Sequence, residues 1–236
     1  VLINNLVKKF SVKTHISNKN RIQYLEGLGI DIWHYRNKTK VPDDTGSKID
    51  DKFLEMLRSE VAACKKCELH KSRTQTVFGI GSQYSELMII GEAPGADEDR
   101  IGEPFVGKAG KLLNEMLFSI NLLRKDVFIT NILKCRPPKN RDPSNEEAEL
   151  CSKYLNEQIN RIKPKLVLAL GRVAAQNLLS TTRSIGQLRG HIIQIDKFSI
   201  AMVATYHPAY LLRSPKEKSK SWEDLRLVRN FLNNQT

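Results

Sequence analysis

From Asp51 onward, short apolar runs alternate with stretches of helical period, and this alternation limits the possible folds more than any other feature of the chain. Leu87–Ile90, Val127–Thr130, Leu166–Leu170, His191–Ile195 and Ile200–Thr205 have the length and composition of strands. Between them, Lys108–Ile120 carries Leu112, Leu113, Met116, Leu117 and Ile120 on one helical face. Pro143–Ile162 reads as a long helix capped by Ser144, with Glu146 and Glu147 at its positive end. Asp51–Ala63, Arg172–Leu179 and Ser219–Leu232 are predicted helices as well. Short strands this apolar need cover on both faces. The expected fold class is α/β: a three-layer α/β/α sandwich with a central, mostly parallel four-stranded sheet. Residues 51–236 form this domain. Residues 1–50 are polar and irregular, an N-terminal extension of unknown role, and VPDDTGSKIDD reads as the linker behind it.

In such sheets the working loops lie beyond the C-terminal ends of the strands. GEAPG follows the first strand, Asn131 the second, Gly171 and Arg172 the third, and His207 the last. Four strand ends therefore converge on one crevice. The segment GEPFVGKA comes close to a nucleotide phosphate loop, since Gly102–Lys108 fits G-x-x-x-x-G-K. Ala109 stands where the magnesium-binding hydroxyl belongs, and the glycines do not follow the strand directly. Nucleotide hydrolysis is not expected on those grounds.

The net charge of +12 favours an anionic partner, most commonly nucleic acid. No apolar run has membrane-spanning length, so no membrane partner is expected. VLINNLVKKF is too short and too interrupted for a secretory signal, which points to a cytoplasmic location. The four cysteines, Cys64, Cys67, Cys135 and Cys151, are a C-x2-C pair and a second pair from a loop and the helix after it. In a chain this long they do not read as a disulfide framework. Two unrelated buried thiols plus a surface CKKC is one reading; a four-thiolate site for zinc or an iron–sulfur cluster is the other.

GEAPGADED, EPFVGKAG, TNILKCRPP, the cysteine spacing, ALGRVA and HPAYLLR together resemble the uracil-DNA glycosylase superfamily, specifically its iron–sulfur family 4, from Asp51 to the C-terminus. The resemblance implies a base-excision repair hydrolase that frees uracil and leaves an abasic site. It also implies a [4Fe-4S] cluster on Cys64, Cys67, Cys135 and Cys151. Glu92 and His207 become the catalytic pair: a carboxylate for the oxocarbenium-like sugar and its water, and a donor to uracil O2. The related family 1 carries an aspartate one position after Glu92, where this chain has Ala93. Uracil contacts are expected from the backbone at Gly91, Ala93 and Gly95, from Glu98 at the C5 side, from the Phe105 ring and from the Asn131 amide. One fixed amide separates uracil from cytosine, because the two bases present opposite donor and acceptor pairs.

DNA-binding roles fall to Lys108, Lys111, Lys134, Arg136 and Arg213, with Leu211 as the wedge that fills the vacated stack. Expected partners are single- and double-stranded uracil-containing DNA, bound by a monomer. A branch of the family that bonds covalently to DNA carries a KRRIH loop; here RSIGQLRGH stands instead, so a turning-over enzyme is expected. The alternatives are a non-catalytic iron–sulfur module that binds nucleic acid, and a zinc or redox protein.

Overall fold

A computed structural model describes residues 52–234. The expectation for residues 1–50 lies outside them. The helices are α1 (Lys52–Ala63), α2 (Ala96–Ile101), α3 (Lys108–Phe118), α4 (Asn145–Ile162), α5 (Arg172–Leu179), α6 (Ile185–Leu188), α7 (Pro208–Arg213) and α8 (Lys218–Asn233). The strands are β1 (Ile80–Gly81), β2 (Leu87–Gly91), β3 (Phe128–Asn131), β4 (Leu166–Leu170), β5 (Ile192–Ile195) and β6 (Ile200–Thr205). The sheet order is β1-β3-β2-β4-β6-β5.

The middle four strands are mutually parallel, as the sequence implies. The sheet nevertheless has six strands, because β1 and β5 pair antiparallel at its two edges. β1 is two residues long and carries no apolar run that patterning would detect.

Successive side chains along a strand point to opposite faces, and the core divides accordingly. Met88, Ile90, Val167, Ala169, Met202 and Ala204 pack on one face against α1, α4, α5 and α6. Leu87, Ile89, Leu166, Leu168 and Val203 pack on the other against α3, α7 and α8. This two-sided cover explains why β2 and β4 are buried along their whole length. No helix among the described residues is long and apolar enough to cross a membrane.

One helix start and one buried carboxylate matter for the site. Ser144 caps α4 by accepting Glu147 N at 3.1 Å, while Glu147 accepts Ser144 N at 2.9 Å. Arg141 then holds Glu147 with two hydrogen bonds, at 2.6 and 2.8 Å. At the other end of the sheet, the buried Asp224 of α8 accepts from Thr205 Oγ1 at 2.7 Å, Gly190 N at 3.0 Å and Arg189 at 3.0 and 3.1 Å. This knot fixes the end of β6 two residues before His207. Asp224→Ala would take the acceptor from Thr205 Oγ1 and Gly190 N and leave Arg189 with only Glu223 and the Lys220 carbonyl. It should lower stability by about 1–3 kcal/mol, read from the urea unfolding midpoint.

Candidate functional site

β2 and β3 run in parallel with Gly91 opposite Asn131. A crevice of about 420 Å³ opens beyond their C-terminal ends. Glu92, Phe105, Asn131 and His207 all line it, joined by Ala93, Gly95 and Glu98. Gly91 lies against the crevice side chains: a Cβ there would stand 2.4 Å from Asn131 Oδ1 and 2.6 Å from Phe105 Cζ.

Phe105 adopts a left-handed backbone, φ 54°, which a bulky residue keeps only when its surroundings enforce it. Three contacts do so. Arg124 donates to the carbonyls of Pro104 and Phe105. Gly110 leaves room for the Phe105 carbonyl, which a Cβ would meet at 1.7 Å. Glu98 clamps the loop at both ends, accepting Val106 N at 2.9 Å, Gly107 N at 3.1 Å and Gly95 N at 3.2 Å. The carboxylate expected at the C5 side of a base thus lines the crevice and also holds the loop. It occupies the Gly107 amide that a phosphate loop would need.

The side chain of Asn131 is almost wholly buried, and its Oδ1 has no hydrogen-bond partner. A buried oxygen without a donor is costly, so this one asks for a donor from a ligand. The His207 ring lies 5.6 Å from that of Phe105, tilted 32°. Its Nδ1 accepts Ala209 N at 3.1 Å and caps α7, which leaves the proton on Nε2. Burial, helped by Arg213 and opposed by Glu98, pulls the His207 pKa down to about 4, so the imidazole is a neutral donor. Burial acts on Glu92 in the opposite sense. With Asp142 adding and Arg172 opposing, its pKa rises to about 7.

The third strand end backs this group without lining it. Gly171 packs against the His207 Cβ, and Arg172 pairs with Asp142 at 2.6 Å. Lys108 and Lys111 are exposed on the first turn of α3, next to Ala109 in the crevice wall. Arg213 is exposed at the rim. Arg136 is partly buried, and its Nε donates to Asn140 Oδ1 at 2.7 Å.

Two expectations need correction. Lys134 does not face DNA: it is 1% exposed, its ammonium turned inward onto Thr130, Asn131 and Gln158. Leu211 is no exposed wedge either. It sits on the inner face of α7, 1% exposed within the core, while Tyr210 and Leu212 on either side are exposed. Tyr210, Asn140 and Arg141 line the crevice without having been singled out, and Arg124 supports it unseen. Only Arg141 carried a sequence signal, the basic run KCRPPKNR.

Behind the crevice, Cys64, Cys67, Cys135 and Cys151 line one small cavity. Arg73 donates to Cys135 Sγ at 3.0 Å and, through its other nitrogen, to the carbonyls of Ala62 and Cys64 at 2.9 Å each. Lys134 N lies 3.4 Å from Cys151 Sγ. Burial raises the pKa of Cys67, Cys135 and Cys151, the last to about 11. Thiols shifted in this direction become thiolates readily around a bound cation. The donor set therefore fits a thiolate-ligated metal centre. Among the described residues, no three His, Cys, Asp or Glu side chains already meet at a single-ion position.

A family model described as the Uracil DNA glycosylase superfamily matches residues 78–226. A Type-4 uracil-DNA glycosylase of Archaeoglobus fulgidus is 45% identical over 181 residues, which is 74% of this chain and 91% of that protein. One from Sulfurisphaera tokodaii is 44% identical over 185 residues, 75% and 84% of the two chains. One from Pyrobaculum aerophilum is 43% identical over 178 residues, 73% and 91%.

The packing around Gly91 has a measurable consequence. Gly91→Ala should lower stability by about 1–3 kcal/mol through overpacking, seen as a lower denaturant midpoint with an unchanged m-value. Gly186→Ala, where a Cβ meets nothing within 4 Å, is the control and should not destabilise.

Proposed function

The chain belongs to the type-4 uracil-DNA glycosylases of the uracil DNA glycosylase superfamily, and from that premise we propose that it excises uracil from DNA, hydrolysing the N-glycosidic bond of deoxyuridine and leaving an abasic site for repair. The observation that carries this reading is the unpartnered Oδ1 of Asn131, facing a crevice it shares with Phe105, His207 and Glu92. Uracil offers N3–H to that oxygen and O4 to the amide nitrogen of the same side chain. Cytosine presents the reverse pair and would leave buried groups unsatisfied. The Phe105 ring stacks on the extruded base.

In the reaction the C1′–N1 bond breaks, its electron pair leaves on the uracil ring, and a water oxygen bonds to C1′ as the water loses a proton, which balances the one the released uracil anion takes up. His207, neutral with its proton on Nε2, donates to uracil O2 as negative charge collects there. Glu92 in its ionised form faces the sugar, steadies the positive charge and orients the water. Lys108, Lys111, Arg136 and Arg213 contact phosphates and supply the salt-dependent part of binding. The protein acts as a monomer on uracil in single strands and in U·G and U·A pairs.

A [4Fe-4S] cluster on Cys64, Cys67, Cys135 and Cys151 completes the proposal. When bound, it ties the segment after α1, the loop after β3 and α4 together, which is a structural role. Purified protein should contain iron and acid-labile sulfide at about four atoms each per chain. Cys135→Ser should lose most of both and melt at lower temperature. Stoichiometric zinc in place of iron would contradict the cluster.

The activity is tested with an oligonucleotide carrying one uracil, treated with alkali to cut abasic sites. Glu92 has to be ionised, so kcat/KM should rise with pH up to about 7 and then level off, when followed between about pH 5 and pH 9. His207 should add no limb in that range, because its charged form appears only near pH 4. Glu92→Gln should remove the rising limb and cost about 100-fold or more in rate. No strand cutting by the parent protein, or full activity in Glu92→Gln, would refute the assignment.

A further inference from the structure

Lysine is among the residues least often fully buried, yet Lys134 is. Its ammonium lies 2.6 Å from Thr130 Oγ1, 2.7 Å from Gln158 Oε1 and 2.8 Å from the main-chain carbonyl of Asn131. An ammonium has three protons and no lone pair, so this set is complete. The partners are committed in turn. Thr130 Oγ1 and Gln158 Nε2 both donate to Phe78 O, each at 2.9 Å. The hydroxyl therefore spends its proton on Phe78 and turns its lone pairs to Lys134.

No carboxylate takes part in this network. Lys134 instead adjoins Cys135 in the chain, and its own main-chain N–H points at Cys151 Sγ. The turn from Asn131 to Lys134 also holds the strand beside it: Ile132 N donates to Gly91 O at 2.9 Å and Leu133 N to Glu92 O at 3.0 Å. One short turn thus carries Asn131, supports Glu92 and ends at the cysteine centre, and the buried ammonium closes it.

We propose that Lys134 is a positioning residue for base recognition: it locks the Asn131 carbonyl, and with it the turn bearing the base-reading amide, to the framework behind the crevice. The proposal rests on the reading of Asn131 as the group that reads uracil. A loosened turn misplaces that amide, and displacements of about 1 Å at a reacting centre cost on the order of 100-fold in rate.

The test uses Lys134→Met and Thr130→Val, both as the full metal-loaded chain. Each is assayed for kcat and KM on the uracil oligonucleotide and for DNA affinity across a salt series. The expected result is a kcat lower by about 10-fold to 100-fold in Lys134→Met. Thr130→Val should show a smaller drop of the same kind. KM should stay within about twofold, and the slope of log Kd against log salt concentration should not change. A lysine on phosphate would do the reverse: kcat unchanged, weaker binding, and a slope reduced by about one. That pattern overturns the proposal. If Lys134→Met does not fold, Thr130→Val decides alone, because it keeps the ammonium and removes one acceptor; an unchanged kcat there overturns the proposal too. A parent protein that releases no uracil defeats the functional reading itself, whereas an active parent with unimpaired variants defeats only the role of Lys134.

Discussion

The site depends on a place where a side chain is missing. Gly91 ends β2 directly opposite Asn131, and the bare Cα lets the Asn131 amide and the Phe105 ring close over it. The parallel register sets the pairing, the glycine sets the distance, and Glu98, Arg124 and Gly110 hold the Phe105 loop against the strain of its left-handed backbone. Some of these contacts are local and others bridge distant segments, yet all serve one geometry: an amide edge and an aromatic face side by side at one strand end.

The charges follow the same arrangement. Burial moves Glu92 up and His207 down, both toward their uncharged forms. Burial of these two side chains also makes each charge that develops beside them during bond breaking more strongly felt. In the proposed roles the two groups act as a carboxylate and a neutral imidazole, and their separated pKa values allow both at one pH.

Much of this was legible in the residues. Uniformly apolar runs of strand length announced a covered parallel sheet, and the polar residues at their ends announced the crevice. Ser144 with Glu147 three positions on announced the start of α4. What escaped was orientation. Lys134 sits in a run with Arg136, Lys139 and Arg141, which reads as one basic surface. The turn after β3 sends Lys134 inward to Thr130 and Asn131 while the later residues emerge. Leu211 stands three positions after Pro208 on a helix that starts there, so both lie on its buried face. Arg124 was invisible because its partners, Pro104 and Phe105, are backbone carbonyls, which leave no signature in a sequence. The edge strand β1 was missed because two residues have no pattern.

The strand order also dictates when each part can come into being. All four cysteines precede β4, so a chain that has emerged as far as the end of α4 already owns every sulfur of the four-cysteine cavity. The crevice is not complete until β6 has docked on β4 and delivered His207, more than fifty residues after Cys151. Pairings between distant strands are the slow part of folding. Assembly during synthesis thus runs from sulfur to imidazole: all four thiols are present in a chain still too short to close the crevice.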